Sequence, residues 1–79
     1  SYMKELVEVI AKALVDDPDA VVVKKTEDDN VIRLVLSVAP SDMGKVIGKQ
    51  GRIAKAIRTV VKAAATETDK KVYVDIEDK

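Results

Sequence analysis

The sequence predicts a small α+β domain of element order α-β-β-α-α-β, a three-stranded mixed sheet with three helices on one face. Three observations lead there. Apolar residues recur at helical spacing in two long segments, 4–15 and 51–65. Three shorter stretches, 20–26, 31–38 and 71–76, are rich in β-branched residues, and the last two alternate with period two. A Gly-x-x-Gly turn, Gly48 to Gly51, divides the region after the second strand into two helices.

Lys4 to Val15 reads as an amphipathic helix, with Leu6, Val9, Ile10, Ala13 and Leu14 at i, i+3, i+4, i+7, i+8 spacing as its apolar stripe. Asp16-Asp17-Pro18-Asp19 ends it, because the residue before a proline is pushed out of helical angles. Ala20 to Thr26 is the first strand. The polar turn Glu27-Asp28-Asp29-Asn30 leads into the second, Val31 to Val38, and a turn this short makes the pair an antiparallel hairpin. Ile32, Leu34, Leu36 and Val38 share one face of this most apolar strand, which places it at the centre of the sheet. Pro40-Ser41-Asp42 reads as a helix start, with Pro in the first turn and Ser or Asp as cap. That helix runs from Asp42 to Ile47 and stops at Gly48. The next runs from about Gly51 to Ala65, with Ile53, Ile57, Val60, Val61 and Ala64 as core stripe and Lys55, Arg58 and Lys62 opposite. Thr66 to Asp69 links it to the last strand, Lys71 to Ile76. That strand pairs parallel to the central one through a right-handed crossover. One domain is expected over 3–77, with Ser1-Tyr2 an appended remnant and 78–79 a tail.

Composition narrows the chemistry. There is no Cys and no His, so disulfides, thiolate zinc sites and the usual nucleophile-base pairs are excluded. The carboxylates stand on surfaces or turns, and no motif pairs them with a base or a metal. No catalytic residue, metal ligand, cofactor or small-molecule substrate is expected. No apolar run reaches membrane-spanning length, and a cytoplasmic protein is expected. The core must be Val, Ile, Leu and Ala, since Phe and Trp are absent and Tyr2 and Tyr73 are the only aromatics. Net charge is zero, but it is unevenly distributed. From Ser41 to Ala65 six cations (Lys45, Lys49, Arg52, Lys55, Arg58 and Lys62) face a single acid, Asp42, a net +5 balanced by −5 elsewhere. Local charge is what a polyanion meets.

The basic segment holds the motif Val46-Ile47-Gly48-Lys49-Gln50-Gly51-Arg52-Ile53. By itself Gly-x-x-Gly is most simply a helix-helix turn with a glycine cap, and a basic helix face is most simply a solvated one. Together they suggest more. Glycines let another backbone approach closely. The following helix presents its first N–H groups to whatever arrives, and Lys49 and Arg52 add full charges. That is a clamp for a phosphate backbone.

The motif, the basic residues that follow it and the strand order together resemble a KH domain of type II, the prokaryotic topology, over nearly the whole chain. The resemblance implies a small bacterial RNA-binding protein, an RNA chaperone, that takes single-stranded RNA. Carried onto this chain, the clamp is Gly48, Lys49, Gln50 and Gly51. The apolar groove would be drawn from Ile47, Ile53 and the edge of strand Lys71 to Ile76, with Lys45, Arg52, Lys55 and Arg58 meeting phosphates. Glu27 to Asn30 would be the variable loop, an acidic tip that could repel RNA. The family also implies self-association and pairing with a larger KH-containing bacterial protein.

Two other readings concern the same residues. Gly44, Gly48 and Gly51 suggest a nucleotide loop, but no Lys-Ser/Thr follows the last glycine and a helix, not a strand, precedes the turn. A protein-protein adaptor using the groove near Ile53 for a partner subunit stays open. Ile53, at the end of the core stripe next to the clamp, fits either surface; since Ile57, Val60, Val61 and Ala64 supply a core stripe without it, it is expected at the groove and only partly covered.

Overall fold

The computed structural model describes residues 2–48 and 51–78. Its elements are α1 (Tyr2–Leu14), a 3-10 turn (Pro18–Ala20), β1 (Val22–Glu27), β2 (Val31–Val38), α2 (Pro40–Ile47), α3 (Arg52–Ala65) and β3 (Lys71–Asp78). The order is the one expected. Ala20 is taken by the 3-10 turn, so the first strand starts at Val22, and the last strand continues past Ile76 to Asp78.

The sheet has the order β1-β2-β3. β1 and β2 form the antiparallel hairpin, with Val23 opposite Leu36 and Glu27 opposite Ile32. β2 and β3 run parallel, with Ile32 beside Val72 and Leu36 beside Ile76. The central place of β2 follows from its sequence. Leu34, Leu36 and Val38 are fully buried, and burying side chains of this size stabilises by roughly 1.5–3 kcal/mol each. Val7, Val46, Ile53, Ile57 and Val61 complete the core from the three helices, and Val72, Val74 and Ile76 pack on it from β3. Among the described residues, the three helices pack on this one face of the sheet.

Two expectations about faces are corrected. In α1 the stripe packed on the core is Met3, Val7, Ile10, Ala11 and the following Val15; Leu6 is half-buried beside it, and Val9, Ala13 and Leu14 are exposed. Val9 is 68 % exposed. The helix is apolar over two adjoining stripes, both at helical spacing, and packing on β1 and α3 covers only one. In α3, Ile53 belongs to the core at 9 % exposure and is not the partly covered residue expected. Ala54, unassigned from the sequence, is buried beside it.

The start of α2 also differs. Its N-cap is Ala39, with no side-chain cap, and Pro40 stands in the first turn. Asp42 does other work. It is fully buried, and its two carboxylate oxygens accept the backbone N–H groups of Asp16 and Asp17, each at 3.0 Å. An α-helix leaves its last carbonyls and the amides of the following turn without partners of their own kind. Asp42 thus ties the chain leaving α1 to the start of α2, which fixes the base on which the glycine turn is built.

Candidate nucleic-acid interface

The turn is built by two glycines with different requirements. Gly48 donates its N–H to the Gly44 carbonyl at 2.7 Å, closing α2. A Cβ on Gly48 would lie 2.1 Å from that same oxygen, so no side chain fits without moving the helix end. Gly51 has open space around it but a φ of +67°, the left-handed region that L-residues adopt at a cost. Its N–H donates to the Gly48 carbonyl at 2.8 Å, which closes the turn, and α3 starts at the next residue. Gly44 has neither requirement. Lys49 and Gln50, the two expected clamp residues between the glycines, lie outside the described residues.

A cleft of about 360 Å³ opens between α3 and β3. Val61, Ala65, Val72 and Val74 line it, and Arg58 and Lys62 stand at its rim with Tyr73. At 1.5 Å per helical residue, Arg58 lies about 10 Å along α3 from the glycine turn. The cleft therefore shares with the turn the helix that begins there. Arg52 and Lys55, between turn and cleft, are exposed. Ile47 is 57 % exposed at the end of α2.

The structure thus places Gly48 and Gly51 at the turn into α3, and Arg52, Lys55 and Arg58 along that helix. It leaves Ile53 inside the core. It turns Lys45 elsewhere: the Nζ donates to Asp16 Oδ1 at 2.9 Å, an ion pair between part-exposed side chains. The basic excess between Ser41 and Ala65 is accordingly displayed by α3, since its one acid is internal and Lys45 is paired. Of the residues lining the cleft, Arg58 and the edge of β3 belong to the expected site, and Val61, Lys62 and Ala65 do not. Lys62 was legible, on the same helical face as Arg58. Val61 and Ala65 were not, because which part of α3 borders the cleft depends on how the helix crosses back over β3.

The acidic hairpin tip is largely occupied with its own surroundings. Glu27 pairs with Lys25 at 2.9 Å and with Lys70, and these two ammonium groups hold its carboxyl down to about 2. Asp28 Oδ1 accepts the backbone N–H groups of Asn30 and Val31 at 2.7 and 2.8 Å, which lowers its pKa. The Glu27 carboxylate is therefore already matched by two cations.

A sequence model of the KH domain of KhpA and KhpB matches residues 4–76. This chain belongs to the KhpA/KhpB KH-domain family. It is 66 % identical over 74 residues to "RNA-binding protein KhpA" of Clostridium perfringens, covering 94 % of this chain and 99 % of the relative. The proteins of the same name from Clostridium acetobutylicum and Listeria monocytogenes are 64 % and 53 % identical over 74 residues, again 94 % of this chain, and 99 % and 97 % of their own lengths. The observed α-β-β-α-α-β order, with its mixed sheet, is that of the type II KH fold expected for this family. It is a non-enzymatic family. Among the described residues no helix is long and apolar enough to cross a membrane.

Proposed function

We propose that this chain binds single-stranded RNA, with the turn Gly48-Lys49-Gln50-Gly51 holding the sugar-phosphate backbone and the bases lying in the cleft between α3 and β3. The observation that carries this reading is the cleft itself: an apolar floor with Arg58 and Lys62 on its rim, on the helix that begins at the glycine turn. Relatives named as RNA-binding proteins support it. Arg52, Lys55 and Arg58 meet phosphates, and Ile47 flanks the turn. Lys45 joins them only by giving up Asp16. The floor is formed by Val61, Ala65, Val72 and Val74 in place of Ile53. The role is that of a small cytoplasmic RNA-binding protein and RNA chaperone.

Affinity for an unstructured RNA, titrated at several salt concentrations, tests this. With about four phosphate contacts the slope of log K against log salt is roughly −3. Changing Lys49→Asp together with Gln50→Asp abolishes binding. A flat salt response, tighter binding to perfect duplex, or unchanged affinity in that folded double variant would remove the clamp.

A protein partner is a second reading with its own observation. Tyr2, Leu6 and Val9 of α1, with Val60 and Ala63 of α3, leave an apolar strip away from the cleft. It supports self-association, or pairing with a KhpB-like KH protein, and joining two RNA sites in this way raises avidity. Light scattering on Val9→Glu checks it: a dimer that becomes a monomer while keeping its RNA affinity per site places the partner on this strip.

A further inference from the structure

Tyr73 is the one aromatic residue in the sheet. It lies on β3, an edge strand, on the face away from the helices, and is 43 % exposed. Its neighbour across the parallel ladder is Arg33. The guanidinium carbon of Arg33 stands 4.9 Å from the ring centroid. Arg33 comes from the central strand, so it covers the ring from the inner side of the sheet. With Arg33 on one side, the 43 % exposure of Tyr73 leaves ring surface open to solvent at this edge. That edge is also a wall of the cleft, which Tyr73 lines together with Arg58 and Lys62.

Charge along this edge changes sign. Lys71 is exposed two residues before Tyr73 on the same strand face, roughly 7 Å away. Two and four residues beyond Tyr73, the face carries Asp75 and Glu77. Among the described residues Arg33, Arg58, Lys62 and Lys71 form no ion pair. A polyanion passing over the edge of β3 is attracted at Tyr73 and repelled beyond it. A cross-strand cation-π pair also stabilises a sheet by itself. That role does not call for an exposed ring on the strand that borders a basic cleft.

The geometry points to a stacking platform: single-stranded RNA leaving the cleft crosses the edge of β3 and lays one base on the exposed ring of Tyr73, with Arg33 holding the ring from behind. This rests on the RNA-binding reading above and adds to it a nucleotide beyond those held in the cleft. Stacking tolerates any base, since every base has a π face, so the platform lengthens the site without adding sequence preference.

Oligoadenylates of four and eight nucleotides, titrated against wild type, Tyr73→Leu and Tyr73→Phe, test the platform. Leucine keeps an apolar side chain suited to a strand and removes the ring. Phenylalanine keeps the ring. The expected result is a loss of about five- to hundred-fold in octamer affinity for Tyr73→Leu, near-normal binding for Tyr73→Phe, and little change in the tetramer for either. In a Tyr2→Phe background Tyr73 is the sole tyrosine, and its fluorescence is quenched by the octamer. Octamer affinity unchanged in Tyr73→Leu, or an equal loss for tetramer and octamer, would overturn the crossing while leaving the RNA-binding reading in place. Wild-type protein that binds neither oligonucleotide would overturn both.

Discussion

Replacing Ile53 by aspartate tests which surface this residue belongs to. Ile53 is 9 % exposed in the first turn of α3, within the cluster that contains Val46 and Ile57. Truncating a buried isoleucine costs about 2–5 kcal/mol, and a carboxylate in its place must in addition leave water without a partner. A native domain is stable by only about 0.05–0.15 kcal/mol per residue, or roughly 4–12 kcal/mol for a chain of this length. The substitution therefore consumes most or all of the stability, and Ile53→Asp is expected to be unfolded at 25 °C by circular dichroism. Ile53→Val supplies the graded control. It removes one methylene for about 0.5–1.5 kcal/mol, and each kcal/mol lowers Tm by about 4–8 °C in a domain of this size. Its RNA affinity, measured well below its own melt, should equal that of wild type. A folded Ile53→Asp with a near-native melt and lost RNA binding would refute the burial argument and return Ile53 to the groove.

Gly44 and Gly48 should separate by position. Gly48→Ala is expected to lose about 1–3 kcal/mol through the clash with the Gly44 carbonyl, whereas Gly44→Ala, with nothing in reach of its Cβ, should be neutral or stabilising by up to about 1 kcal/mol, both read from thermal melts. Asp42→Ala leaves the Asp16 and Asp17 amides without their acceptor and should cost about 3 kcal/mol, with Asp42→Asn losing less because one oxygen remains. Glu27 has a folded-state pKa lowered from 4.5 to about 2 by Lys25 and Lys70, so its contribution is fully present above pH 4.5 and fades as pH falls toward 2. The melts of wild type and Glu27→Gln should accordingly differ by a constant amount above pH 5 and converge through that window; a gap that persists at pH 2 would show that the two lysines do not hold the carboxylate.

Much of this molecule was legible in one dimension. Period-two patterning and turn length suffice for the hairpin, and the unbroken apolar face of Val31 to Val38 marks the central strand, because strand burial is written in local alternation. The glycine turn and the basic face of α3 are equally local: each depends on residues a few positions apart. What depended on packing was not legible. The segment 3–15 offers two apolar stripes, and only the approach of β1 and α3 decides that Val7 and Ala11 go inside while Val9 and Leu14 stay out. Asp42 looked like a helix cap, yet its carboxylate reaches across 26 residues of chain to amides that sequence spacing does not connect. Ile53 satisfies both a core and a groove pattern at the same spacing, and the depth at which α3 sits on the sheet buries it. The cleft and the Arg33–Tyr73 pair exist only once β3 lies parallel to β2 in a particular register. Local periodicity sets which faces are apolar; the tertiary structure sets which of them is covered, because that choice depends on surface supplied by distant parts of the chain.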